Sequence, residues 1–111
     1  MSARTYVCRL DELDPERGVP ALAGGQQVAV FRLADDRVLA VQQRDPYSGA
    51  NVLSRGIVGS VGERPAIASP MYKQVWDLVT GECLDPAGKE PIPLTAYPVE
   101  RMGDEVWVLT P

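Results

Sequence analysis

No part of this chain runs far without interruption. Short stretches rich in Val, Ile, Leu and Tyr recur from end to end, each cut off by Gly, Pro or Asp, and the 111 residues include ten glycines and ten prolines. Helix interiors cannot absorb that punctuation, because Pro lacks an N–H and clashes with the preceding turn while Gly costs backbone entropy. Short strands joined by tight turns can, so the pattern favours an all-β domain over a helical or alternating one.

Strands are expected at residues 5–10, 27–33 and 38–42, with Ala34-Asp35-Asp36-Arg37 joining the last two as a hairpin. A second hairpin runs from Gly56-Ile57-Val58-Gly59 through Val61-Gly62-Glu63-Arg64 into residues 65–69. Residues 74–78 read as a strand, followed by the turn Thr80-Gly81-Glu82 toward Cys83 and Leu84, and residues 96–101 pair with 105–109 across Gly103-Asp104. Residues 85–93 form a loop, since Pro86, Pro91 and Pro93 remove donors that a ladder needs. Residues 11–18 hold one helical or 3-10 turn before Gly18. Strand alternation selects Val28, Val30, Val38, Ala40, Ile57, Ile67, Trp76, Leu78, Val106 and Val108 as the core.

The length suits one domain spanning residues 1–111, too small to hold a nucleotide domain beside a catalytic one. Apolar runs fall well short of the roughly 20 residues a membrane helix needs, and residues 1–10 lack the order of a signal peptide. A cytoplasmic protein is expected, with no membrane partner. The net charge of −4, with its Lys and Arg scattered, argues against nucleic acid. Cys8 and Cys83 are far apart and make no metal spacing. Histidine is absent, so no Ser-His or Cys-His pair can activate a nucleophile, and there is no Gly-x-Gly-x-x-Gly loop. Cys8 reads as a buried, inert strand thiol, and the carboxylates of residues 11–16 as a solvated turn. No catalytic residue, metal ligand or cofactor site is assigned to the chain itself.

Two segments carry a resemblance. Arg44-Asp45-Pro46-Tyr47-Ser48-Gly49-Ala50-Asn51 is similar to the Arg-Cys-Pro-His-x-Gly-Ala run of Rieske iron–sulfur domains, with Asp45 in the Cys place and Tyr47 in the His place. The segment from Ser69-Pro70-Met71-Tyr72-Lys73-Gln74 through Trp76-Asp77-Leu78 to Thr80-Gly81-Glu82-Cys83 is similar to Cys-Pro-x-His-Gly-x-x-Phe-Asp-Leu-x-Thr-Gly-x-Cys, with Ser69 for Cys and Tyr72 for His. The likeness extends from about residue 28 to 108 and implies a Rieske-like antiparallel β-sandwich with two facing loops. All four ligand positions are changed. A Rieske centre takes two thiolates and two imidazoles, whereas a carboxylate, a hydroxyl and two phenols with pKa near ~10 make a hard, poorly matched set.

Within the Rieske-like group, Asp-Pro-Tyr-Ser-Gly-Ala-Asn and Ser-Pro-Met-Tyr-Lys-Gln resemble the small subunits of assimilatory NAD(P)H-dependent nitrite reductases. That resemblance implies a cofactor-free accessory subunit of an enzyme taking nitrite to ammonium, with FAD, a [4Fe-4S] cluster and sirohaem on the large partner subunit. Tyr47 and Tyr72 are then expected to pack into the vacated volume, their hydroxyls met by backbone or by Asp45 and Ser69. Cys83, outside the ligand set, reads as a small buried hydrophobe. The loop tip, with Arg44, Tyr47, Arg55, Met71, Tyr72 and Lys73, is the expected surface for the large subunit. The alternatives are a ferredoxin-like carrier with an atypical metal centre and a stand-alone Rieske-like binding module.

Overall fold

The strand Gln26–Arg32 (β3) has no polar face, and this decides the architecture. Val28, Ala29, Val30 and Phe31 are all buried, so both faces of its sheet need a cover. In the computed structural model, which describes residues 3–111, β3 pairs with Arg17–Ala23 (β2) on one side and Val38–Gln42 (β4) on the other. Ala96–Tyr97 (β9) completes the sheet, in the order β2-β3-β4-β9. Val28 and Val30 pack with Val38, Ala40, Leu13, Val106 and Val108 beneath the sheet formed by Ala3–Arg9 (β1), Glu105–Thr110 (β11) and Val99–Met102 (β10). Ala29 and Phe31 pack on the opposite face with Leu53, Ile67, Trp76, Leu78 and Leu94. There the cover is the sheet Ile57–Val61 (β5), Arg64–Ala68 (β6), Val75–Asp77 (β7) and Cys83–Asp85 (β8). The named strand pairs are antiparallel.

The expected all-β, Rieske-like fold is the fold observed, and the two central hairpins have the expected turns. In the first, Leu33 N–H donates to Arg37 O and Asp36 N–H to Leu33 O, with Asp36 in the left-handed region. Nine of the ten expected core residues are buried.

Ile57 is the exception, at 74% exposed. Its neighbour Val58 lies opposite Ile67 and packs against the core, so β5 sits one residue out of the expected phase, which moves every side chain to the other face. Two other expectations are corrected. Arg17 and Gly18, expected to end a turn, instead open β2, whose residues 19–23 had no assigned element, and Pro20 is tolerated because β2 is a sheet edge that needs no ladder on its outer side. Residues 96–101 are two strands rather than one: the chain breaks at Pro98, β9 joining β4 and β10 joining β11.

Candidate functional site

The first loop leaves β4 at Gln43 and returns at Leu53. A reciprocal pair clamps its base: Gln43 Nε2–H donates to Ser54 Oγ at 2.7 Å and Ser54 N–H donates to Gln43 Oε1 at 2.7 Å. The loop then closes around Asp45, which is fully buried. Asp45 N–H donates to Ala50 O, Gly49 N–H donates to Asp45 O, and Asp45 Oδ1 accepts from the Tyr47 and Ser48 amides at 2.8 and 3.3 Å. Gly49 has φ +77°, which favours a residue without a Cβ.

The second loop, residues 69–74, connects β6 to β7. Ser69 N–H donates to Gln74 O, and Met71 N–H donates to Ser69 Oγ at 3.1 Å. The two loops meet at one contact: Ser69 Oγ donates to Asp45 Oδ2 at 2.5 Å, with both residues buried. Asp45 and Ser69, which the resemblance sets in the two cysteine places, are therefore tied directly to each other by a charge-assisted hydrogen bond.

Tyr47 turns away from that contact. Its ring is half-buried against Trp76, centroids 5.9 Å apart. Its hydroxyl donates to Glu90 O at 2.7 Å, accepts from Ile92 N–H at 2.9 Å and lies 3.7 Å from Cys83 Sγ. Trp76 Nε1–H adds a bond to Ile92 O at 2.8 Å. Both rings thus pin the proline-rich segment 86–93. Burial, and next the Cys83 thiol, push the Tyr47 hydroxyl pKa up. Of the two kinds of partner expected for the tyrosine hydroxyls, backbone or Asp45 and Ser69, Tyr47 takes the backbone, while Asp45 and Ser69 are occupied with each other.

Tyr72 differs. It is 54% exposed beside Met71 at 48%, so the expected packing into a void does not describe it. Lys73 follows with φ +65° in the place where the Rieske pattern has Gly. Arg44, Arg55 and Lys73 are exposed and, among the described residues, make no salt bridge, whereas Arg64 is held by Asp77 at 2.6 Å and Glu82 at 2.7 Å. The tip therefore presents unpaired cations and apolar atoms together. Cys83 is half-buried against the core and Cys8 is also half-buried, its thiol pKa raised by burial and by Glu12, so it favours the unreactive protonated form.

Sequence reasoning missed Gln74. The residue is fully buried at the end of the second loop, just before β7, and neither its Oε1 nor its Nε2 has a protein partner. A polar residue between a loop and a strand gives no pattern that marks it as buried.

The Rieske-like [2Fe-2S] domain family matches residues 4–109. A nitrite reductase (NADH) small subunit of Salmonella typhimurium is 41% identical over 86 residues, 77% of this chain and 80% of that protein. The crystal structure of an NADH-dependent nitrite reductase small subunit from Mycobacterium tuberculosis superposes with a TM-score of 0.91 at 41% identity, covering 100% of this chain and 97% of that one. The chain belongs to the Rieske-like family of nitrite reductase small subunits. A nitrite reductase [NAD(P)H] large subunit of Klebsiella oxytoca is also 39% identical over 102 residues, 92% of this chain but only 10% of that much longer protein.

The cluster after which the wider family is described does not fit the residues present. Asp45 and Ser69 are engaged with each other, Tyr47 Oη is engaged with the backbone of residues 90 and 92, and Tyr72 points to solvent. Among the described residues, no group of three or more His, Cys, Asp or Glu is placed to hold a metal ion. The donors at the four positions are all oxygen, whereas iron–sulfur clusters are held by thiolate and imidazole. Also among the described residues, no helix is long and apolar enough to cross a membrane.

Proposed function

We propose that residues 1–111 form one Rieske-like domain that serves as the small subunit of a cytoplasmic, assimilatory NAD(P)H nitrite reductase. It works without a cofactor of its own. FAD, the [4Fe-4S] cluster and sirohaem reside on the large subunit, where nitrite is reduced to ammonium. This chain contributes by binding that subunit through the loop tip. Both thiols are free, in keeping with a reducing compartment.

The observation that carries the reading is the Asp45–Ser69 hydrogen bond. It joins the two loops by oxygen chemistry where a cluster would otherwise join them, so the tip stays shaped while electron transfer is no longer its task. What remains at the tip is a recognition surface of Arg44, Arg55, Met71, Tyr72 and Lys73, residue types suited to protein contacts. The subunit need only bind the large subunit's active conformer better than its inactive one; a tenfold preference corresponds to about 1.4 kcal/mol.

Co-purification from the native cell tests this. A large sirohaem-containing chain is expected to accompany the small subunit. Arg44→Glu, Lys73→Glu and Tyr72→Ala are each expected to weaken that association while the isolated domain keeps its circular-dichroism spectrum. Unchanged affinity in all three would remove the tip from the interface. Iron, acid-labile sulfide and visible absorbance in the purified chain would favour an electron carrier, and capture of an unrelated oxidoreductase would favour a stand-alone module.

A further inference from the structure

The two ends of the described chain lie together. Ala3 is opposite Thr110 in the β1–β11 ladder, so both strands run out at one end of the domain. The β2–β3 turn is packed onto that end: Gly24 N–H donates to Thr5 Oγ1 at 3.1 Å, and a Cβ at Gly24 would collide with the Thr110 side chain. The first loop leaves from there too. Gln43 N–H, at the base of the loop, donates to Gln27 O at the start of β3, just after that turn. Gln42 ties the loop to the segment before β9, since its N–H donates to Thr95 O, its Oε1 accepts from Thr95 N–H and its Nε2 donates to Arg44 O.

Thr95 also borders a hollow. About 270 Å³ in volume, it is lined by residues 95–98 on one side and 109–111 on the other, none of them charged, and Leu109 N–H donates to Pro98 O to hold the two walls together. The hollow thus lies between the end of β11 and the base of the first loop. Arg44, exposed and without a salt bridge among the described residues, is one hydrogen bond beyond Gln42 and belongs to the rim.

One relative gives this end a partner. In the Klebsiella oxytoca large subunit a segment 39% identical to this chain makes up 10% of the protein, so there the domain is covalently continuous with a much longer chain. Such a connection leaves through an end of the domain, and here both ends occupy one place. A tether raises the effective concentration of the attached body most for contacts close to the junction. A two-fold contact between copies through the hollow would instead crowd the exit that the fused chain uses.

We propose that the large subunit docks on this end of the domain, with one of its apolar side chains seated in the hollow against Leu109 while it engages the loop tip alongside. The inference rests on the reading that the chain is the small subunit of that enzyme, and it extends the contact from the tip to the hollow between β9 and the end of β11.

Leu109→Glu and Thr95→Glu place charge in the hollow and leave the backbone bonds of both residues in place. Met102→Glu, 50% exposed and opposite Glu105, sets the same charge at the far end of β11. Affinity for the purified large subunit would be measured by calorimetry for wild type, these three variants and Tyr72→Ala, each first checked for a native thermal transition. Thr95 is exposed, so Thr95→Glu carries the test if Leu109→Glu fails that check. The expected result is a loss of at least about tenfold for the two hollow variants and none for Met102→Glu. Equal losses for Met102→Glu would overturn the inference, because charge rather than place would then matter. A loss for Tyr72→Ala alone would overturn the hollow and leave the tip reading standing; losses for the hollow variants alone would uphold the hollow and remove Tyr72 from the contact. No loss in any variant would overturn both surfaces, and no binding by wild type would overturn the small-subunit reading itself. Sedimentation showing a wild-type dimer that Leu109→Glu dissociates would assign the hollow to a second copy and overturn the inference.

Discussion

The two loops that carry the resemblance are built in opposite ways. In the first, a buried carboxylate collects two backbone amides and the Ser69 hydroxyl, and the tyrosine beside it is fixed by two backbone bonds to residues 90 and 92. In the second, Ser69 and Gln74 at its two ends are buried, while Met71, Tyr72 and Lys73 between them stand in solvent. The inner loop has become framework and the outer loop has become surface. Asp45, Tyr47 and Ser69 are framework because they find internal partners, and Tyr72 is surface because its ring meets water.

The sharpest way to break that contrast is to remove the carboxylate. Asp45→Ala leaves the Ser69 hydroxyl and two amides without their acceptor, and chemical denaturation is expected to show a loss of about 3 kcal/mol or more. A loss below about 1 kcal/mol would mean that the loops hold their shape without it.

Next in size is the pair of tyrosines. Tyr47→Phe strips the partner from Glu90 O and Ile92 N–H and is expected to cost about 1–2 kcal/mol, with faster proteolysis of residues 86–93. Tyr72→Phe, at an exposed hydroxyl, is expected to stay within about 0.5 kcal/mol of wild type. Equal effects would erase the distinction between the loops.

The same contrast has a pH signature. Burial raises the folded-state pKa of Tyr47, with the Cys83 thiol adding to the rise. Its stabilising contribution is therefore fully present below the unfolded value near ~10 and is lost as pH climbs through the folded pKa. Stability of wild type against denaturant is expected to fall more steeply above that pH than stability of Tyr47→Phe.

The smallest effect is expected at Lys73. Its φ of +65° suits Gly, so Lys73→Gly is expected to stabilise the free domain by up to about 1 kcal/mol while weakening association with the large subunit. A variant that gained stability and kept full affinity would show that Lys73 serves neither role.

Much of this arrangement could be read before any coordinates. The two motif segments marked the paired loops, the Gly and Pro spacing gave the strand-and-turn rhythm, and strict alternation found Val28, Val30, Val106 and Val108. Pattern failed where the deciding contact was distant. The phase of β5 rests on Val58 meeting Ile67, the break at Pro98 on two different sheets competing for one segment, and the burial of Leu53 on packing between β3 and the second sheet.

Local chemistry in the chain fixed the turns, the all-β class and the unsuitability of four oxygen side chains for an iron–sulfur cluster, because backbone preference and donor softness belong to each residue wherever it lies. The third dimension decided which of those oxygens became structural. Asp45 and Ser69 are 24 positions apart and Tyr47 is 43 from Glu90, and only packing brings such groups within hydrogen-bond reach.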